Sequence, residues 1–245
     1  MRDLNTYQRS YSALPFENQQ LRFRKRKLLE ILARYAPRSV LEIGCGLDPL
    51  FMHYSAFDAL TIVEPGDVFY RNALDLAQDF PKVRVVAGTL ETTVKQLSSQ
   101  PYDFIVLSSL LHEVVDAAEI LRATRCLCSE TTVVHVNVPN AWSFHRVLAL
   151  EMGLIETVYQ KSGVQLQMQQ SRTFDLDSLS RLATDCGFRS VEQGTFFVKP
   201  FTHAQMAALQ NCGFLTEQML EGLYRMSTRF PLHGSEIFIN LKVDK

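Results

Sequence analysis

Two short apolar runs each end in a glutamate, and a pair of glycines lies between them. Ser39-Val40-Leu41 reads as a buried strand, Glu42 sits near its carboxyl end, and Gly44 and Gly46 follow at once. Glycine at such a turn lets backbone approach a ligand with no Cβ in the way. The second run, Ala59-Leu60-Thr61-Ile62-Val63, ends in Glu64. That acid stands about 20 residues after the turn, the spacing of a carboxylate that holds a ribose diol. Strand, turn and acid fall in register, which points to a nucleoside-binding α/β unit rather than a strand-to-helix turn with an incidental acid.

Strands are expected at 39–44, 59–64, 82–87, 102–107 and 131–138, with helices at 48–56, 66–79, 91–98 and 116–128. Asp116 and Glu119 have the spacing of a capping box for the last of these. The alternation predicts a mainly parallel sheet, covered on both faces and joined by right-handed crossovers, with ligands beyond the carboxyl ends of the strands. Asp175 opens a further helix, Leu176, Leu179, Leu182, Ala183 and Cys186 give it an apolar face, and Gly187 stops it. A strand at 190–199 follows, then two short helical patterns within 202–230, the first opened by Thr202 and Gln205, then a last strand at 236–243. Ahead of all this, 16–36 reads as a helix with Leu21, Leu28, Leu32 and Tyr35 on one stripe. Its Arg22, Arg24, Lys25, Arg26 and Lys27 form a basic patch, read as a solvated face in preference to a nucleic-acid contact. Residues 1–15 are polar and aromatic, with Tyr7 and Tyr11, and show no clear period.

The length of 245 residues suits one large α/β domain with additions. Hydrophobic residues at 47% against 21% charged allow a well-buried core, and a net charge of −1 gives no global field favouring nucleic acid or an anionic membrane. The five cysteines include no Cys-x-x-Cys pair, which argues against a zinc knuckle or a disulfide framework and for reduced thiols in a cytoplasmic protein. No apolar signal core or bilayer-spanning run is present, so no membrane association is expected. No metal site is legible, since the histidines lack a His-Glu-x-x-His spacing. No serine sits in Gly-x-Ser-x-Gly either.

Glu42-Ile43-Gly44-Cys45-Gly46 followed by Val63-Glu64-Pro65 resembles the cofactor site of class I S-adenosylmethionine-dependent methyltransferases. A dinucleotide site wants a third glycine for its pyrophosphate, and here that position is Pro49. S-adenosylmethionine has no phosphate, and an acid before the glycines suits its sulfonium and ammonium. The resemblance covers about residues 37–200 and implies a Rossmann-like, seven-stranded, mostly parallel sheet with helices on both faces. An N-terminal helical cap and a C-terminal helical insertion are added to it. The implied division of the single domain 1–245 is a cap at 1–36, a cofactor-binding core at 37–200, an insertion at 201–232 and a last strand at 233–245. The implied cofactor residues are Glu42, Gly44, Cys45, Gly46, Glu64, Pro65, Thr89, Leu90 and Ser108. Thr89 stands where the family often has an acid for the adenine amine; its hydroxyl and the Leu90 backbone remain available.

The family places the acceptor just beyond the fourth strand, where this chain has His112-Glu113. His112 is a candidate base for a hydroxyl proton, or a residue packing on the cofactor edge, and Glu113 orients or caps. After the fifth strand, Asn140 or Ser143 caps the next helix, with His145, a second candidate base, and Arg146 in its first turn. Two basic residues at a helix N-terminus hint at an anionic or hydroxyl-rich acceptor. Trp142 is an apolar anchor or a wall for a ring-shaped substrate. The stretch from Pro139 to Arg146, Met152-Gly153-Leu154-Ile155 and Arg172-Thr173-Phe174-Asp175 resemble a branch of bacterial methyltransferases acting on saccharides and related natural products. Asn140, Trp142, Arg146 and Arg172 are accordingly the candidate substrate contacts, Arg172 with a surface ion pair as its alternative role. Residues 159–171 show no period and suit a mobile loop over the acceptor.

The resemblance therefore implies transfer of a methyl group from S-adenosylmethionine to a small polar acceptor, O-methylation of a sugar or sugar-bearing metabolite first. N-methylation of an amino sugar or other amine is one alternative, and a non-catalytic nucleoside-binding or RNA-contacting protein another. Residues 202–230 are expected to close over the acceptor or to make a subunit contact, possible in a homodimer. Their Met206, Leu209, Met219, Leu220, Leu223, Tyr224 and Met226 are more apolar surface than two short helices leave in water, and core packing is the other reading.

Overall fold

The computed structural model describes residues 15–244; Tyr7 and Tyr11 lie outside the described residues. Helix α1 (Glu17–Tyr35) precedes β1 (Ser39–Ile43), β2 (Ala59–Glu64), α2 (Asp67–Leu76), β3 (Val83–Ala87), α3 (Leu90–Leu97), β4 (Phe104–Ser108), α4 (Ala117–Arg125) and β5 (Val133–Pro139). Then come α5 (Phe144–Glu151), α6 (Gly163–Gln167), α7 (Leu176–Asp185), β6 (Phe188–Phe196), α8 (His203–Asn211), α9 (Glu217–Arg225) and β7 (Glu236–Val243). The strands form one sheet in the order β3-β2-β1-β4-β5-β7-β6. All pairings are parallel except the two made by β7, which runs antiparallel to β5 and β6. The order reverses at β1, whose neighbours are β2 and β4, so the sequence-predicted crevice lies at the carboxyl ends of these three strands.

Alternation along the strands feeds two cores. On one face Leu41, Ile43, Leu107, Val136 and Ile239 pack with α4 and α7. On the other, Val40, Leu60, Ile62, Phe104, Val106 and Phe238 pack with α1. Polar groups start the helices, although the box expected at Asp116–Glu119 forms only on its Asp116 side. The Asp116 carboxylate accepts from the Ala118 and Glu119 N–H groups, and capping boxes close at Asp175–Ser178 and Thr202–Gln205.

Four readings need correction. The helix expected at 48–56 is one 3₁₀ turn, Leu50–Met52. Pro49 is extended there, and the Leu50 N–H donates to the Glu42 carboxylate at 2.9 Å, so the segment is tied to the site instead of coiling. The stretch 159–171 is not without period: Ser162 and Gln165 form a capping box for α6. The basic run on α1 is not a uniform solvated face. Arg24 and Lys25 turn inward, while Arg22 and Arg26 pair with Glu217 and Glu221 of α9 at 2.7 and 2.6 Å. Finally, part of the apolar surface of 202–230 is core: Met206, Leu220 and Tyr224 are buried against α1, Tyr224 stacking on Phe23 at 5.2 Å, whereas Met219 stays exposed. No helix among the described residues is long and apolar enough to cross a membrane.

The insertion thus holds α1 in place. Leu220→Ala should cost about 2–5 kcal/mol, the range for truncating a fully buried leucine. Urea unfolding would measure it; a cost below 1 kcal/mol would mean that α9 is loosely attached.

Candidate functional site

A cleft opens at the carboxyl ends of β1, β2 and β4, roofed by Leu21, Arg24, Lys25 and Leu28 of α1. Its floor is the glycine turn. Gly44 and Gly46 both have positive φ, 77° and 60°, a region costly to side chains, and the Gly44 N–H donates to the Val63 carbonyl at 2.9 Å. Glu64 stitches this turn to the next. Its Oε2 accepts from the Cys45 and Gly46 N–H groups at 3.0 and 3.3 Å, and its Oε1 from the Gly66 N–H at 2.8 Å. Oε2 also accepts from the Cys45 thiol at 3.7 Å, whereas Oε1 takes the Gly66 N–H alone among the described residues and keeps a lone pair for a ligand hydroxyl.

Glu42 lies across the cleft, buried, with only the Leu50 N–H and nearby Lys25 to favour its charge. Burial pushes its carboxyl up to about 7, against the pull of Lys25. Burial likewise raises Glu64, opposed by the three backbone N–H groups. The Cys45 thiol beside them is raised far out of the titrating range by burial and by both carboxylates, so it is no nucleophile. Lys25 reaches the Asp48 carbonyl at 2.6 Å and its carboxylate at 3.5 Å. The cleft therefore has an acidic floor and a basic roof.

Ser108, Ser109, Leu110 and Glu113 form the far wall. Ser109 is a non-glycine residue at φ 56°, held there by its N–H bond to the Asn137 carbonyl at 2.9 Å. Such strain is tolerated where surroundings over-determine it, and it collects at functional sites. His112 is buried behind Glu113, its Nε2 3.6 Å from Glu113 Oε1.

The structure brings Glu42, Gly44, Cys45, Gly46, Glu64, Pro65 and Ser108 to one cleft. Thr89 and Leu90 follow β3, beside Glu64 in register but beyond the cleft lining, with Thr89 exposed. The acceptor candidates fare differently. Asn140 is fully engaged within the chain: Nδ2 donates to the Leu232 and Gly234 carbonyls, and Oδ1 accepts from the Trp142 N–H. Arg146 pins a loop instead of facing a ligand, donating to the Val158 and Gln160 carbonyls and to Gln165. Arg172 is exposed, its guanidinium 5.5 Å from the Phe174 ring centroid, and it makes no ion pair among the described residues. Trp142 is partly exposed, outside the cleft lining. His145 is also outside it, and burial with Lys199, His203 and Arg146 nearby holds its imidazole well below the usual range, a poor base. Sequence reasoning missed Arg24, Lys25, Ser109 and Phe69; an inward stripe at 21, 24, 25 and 28 was the available signal for the first two.

A model of the methyltransferase domain matches residues 18–193. The chain belongs to the S-adenosylmethionine-dependent methyltransferases. A search of the curated proteins finds no match. Among solved structures, the chain is similar to the plantazolicin methyltransferase BamL, crystallised with a triazolic desmethylPZN analog and SAH. That similarity has 16% identity, covers 98% of this chain and 94% of that one, and has a TM-score of 0.59. It is also similar to the N-methyltransferase NodS from Bradyrhizobium japonicum WM9, in complex with S-adenosyl-l-homocysteine, at 11% identity, 95% and 90% coverage and a TM-score of 0.56. A SAM-dependent methyltransferase from Archaeoglobus fulgidus gives 16%, 89% and 94%, and 0.54. At such identities these likenesses establish the fold of this methyltransferase and no more.

The cleft of this methyltransferase fits its cofactor by chemistry. Two buried acids face a place for a cationic sulfonium and ammonium, Glu64 keeps capacity for a hydroxyl, and the glycines leave the floor free of side chains. The acids also fix a pH response. The folded protein keeps the Glu42 proton up to about pH 7, whereas an exposed glutamate releases it near 4.5. Ionising it therefore destabilises the fold progressively from pH 4.5 to 7, by about 3 kcal/mol at most. Measured without added ligand, the Glu42→Gln variant should gain on the wild type as pH rises through that interval and hold a constant lead above it. A difference that does not vary with pH would contradict the Glu42 assignment.

Proposed function

We propose that this methyltransferase acts on a hydroxyl of a small polar acceptor, a sugar or sugar-bearing metabolite, with His112 as the proton acceptor. The observation that carries the reading is that Glu113 lines the cleft beyond the end of β4 and His112 is buried behind it, Nε2 3.6 Å from Glu113 Oε1. S-adenosylmethionine, when bound, supplies a methyl group activated by its sulfonium. The protein's part is to bind, orient and take one proton. Glu42 and Glu64 stabilise positive charge at the cleft floor, and Glu64 accepts from a ribose hydroxyl. Lys25 on the roof faces the negative end of an amino-acid moiety. Thr89 and the Leu90 backbone stand at the adenine end. An attacking hydroxyl must lose its proton as the bond forms, and imidazole is suited to receive it near neutral pH. Glu113 orients the ring and stabilises its charged form. An acceptor amine that is already neutral would need less of this help, so the pair favours oxygen over nitrogen.

S-adenosylmethionine or its demethylated product should stabilise the protein by about 2.7 kcal/mol at 100 times its dissociation constant. Glu64→Ala should weaken that binding by roughly 1–3 kcal/mol. Calorimetry in which neither compound binds would end the cofactor-site assignment.

His112→Ala should lower kcat about 10²–10⁴-fold with cofactor affinity kept, and remove the acidic limb of the pH–rate profile. Near wild-type rates would transfer support to amine methylation. Tight cofactor binding without product on a broad metabolite panel would support a non-catalytic protein.

A further inference from the structure

Where α1, the end of β5 and the start of β7 meet, buried polar groups form a corner that the cofactor reading does not use. Glu17, Gln20 and Arg24 follow one another along one face of α1, and Arg24 is also part of the cleft roof. Glu236 is the hub. It accepts from Arg24 Nε and Nη2 at 2.9 and 2.6 Å, from Gln20 Nε2 at 2.9 Å and from Asn137 Nδ2 at 2.7 Å. Arg24 Nη1 reaches Glu17 Oε1 at 3.3 Å. Lys199 is buried beside Glu17 and Glu236, and burial pulls its ammonium down to about 7.

Two features restrict what this corner can bind. First, its charged groups already engage one another: Glu236 and Glu17 hold Arg24, and Lys199 and His203 lie beside Glu17. An ionic ligand would lose its hydration and meet counter-charges that are already engaged. Second, the remaining capacity is neutral. The Gln20 amide cannot be flipped, because a carboxylate takes only a donor. Its Nε2 is committed to Glu236 and Ser235, so Oε1 faces the other way, buried and without a hydrogen-bond partner among the described residues. The hydroxyl of fully buried Ser143 and the Nδ1 of His145 are also without a partner among them. These two residues belong to the same corner: the Asn140 N–H donates to the Ser235 carbonyl, and the Ser143 N–H to the Asn140 carbonyl. Asn137 Oδ1, on the amide whose Nδ2 meets Glu236, is a fourth. Native interiors rarely leave such atoms unpaired, and four at one corner are groups that a ligand can satisfy.

We propose that this corner is the recognition subsite for the acceptor and that it reads uncharged hydroxyl groups. Non-reacting hydroxyls of a polyhydroxylated ligand donate to Gln20 Oε1 and His145 Nδ1, and the Ser143 hydroxyl pairs with a further oxygen. The inference rests on the methyltransferase reading of the adjoining cleft. It adds the electrical neutrality of the substrate and the residues that recognise its spectator groups.

The test uses the full chain saturated with S-adenosylhomocysteine. Its probes are a set of methyl hexopyranosides, their uronates, their amino-sugar counterparts and tetrahydropyran, titrated by calorimetry. At least one neutral hexoside should bind tenfold or more tighter than its charged counterparts and than tetrahydropyran. Gln20→Met and Ser143→Ala should each weaken it about tenfold with cofactor-product affinity kept, and Ser143→Ala should also keep the melting temperature. Should Gln20→Met fail to fold, Ser143→Ala decides. Charged probes binding as well as neutral ones, no probe binding, or neither variant changing hexoside affinity would overturn the proposal. Labelled methyl transfer separates it from the reading beneath. Hexoside bound through Gln20 with no methylated hydroxyl would remove O-methylation alone, and methylation indifferent to both variants would remove the subsite alone.

Discussion

The carboxylate of Glu236 is the joint on which the cleft depends. It stands at the first residue of β7, which runs antiparallel to both of its neighbours in the sheet and brings a late segment to the carboxyl edge where β1, β2 and β4 end. From there it holds Arg24 with two guanidinium nitrogens and Gln20 with its amide, and so fixes α1 across the cleft. Breaking a buried pair leaves one charge uncompensated, which costs far more than an exposed pair is worth. The outward pairs of α1 with Glu217 and Glu221 are exposed and screened by comparison. The roof is therefore attached by its buried face, with α9 as apolar support behind it.

The floor follows a different logic. Glu64 binds three backbone N–H groups, and Glu42 binds a fourth, so the turns around the cofactor place are held by main chain. Both acids are paid for in desolvation, visible as raised carboxyls. That unfavourable burial would be offset by a cation between them, so the arrangement that costs stability is chemically suited to a sulfonium. Positive φ at Gly44 and Gly46 keeps this floor bare.

Much of this was legible because it is local. The Glu42–Gly46 turn and Glu64 each sit within one strand-turn unit, and the period change from two to 3.6 gave every strand of the sheet within a few residues. Caps such as Asp175 and Thr202 name their partners three residues on. Leu50 was misread because its N–H finds Glu42 across a turn, a tertiary bond that pattern cannot show. Arg24 was misread for the same reason: its neighbours in sequence are exposed cations, and its partner is 212 residues away. Asn140 and Arg146 have the composition of ligand contacts, yet their donors are used up by carbonyls of the chain itself.

The contrast separates the two halves of the site. The cofactor half is built from main chain and consecutive residues, so a motif can announce it. The acceptor half is assembled from side chains of α1, β5, α5, the segment after β6 and the start of β7, none adjacent in sequence. Its specificity then resides in which polar atoms stay unpaired after the internal partners are served. A carboxylate that accepts only from donors settles that question at Gln20, because it fixes which end of the amide turns outward. The charged groups of the corner act in the same direction, because carboxylates and cations already engaged with one another favour hydrogen bonding over ion pairing as the means of selection. Fold alone leaves the acceptor open; the orientation of one amide narrows it.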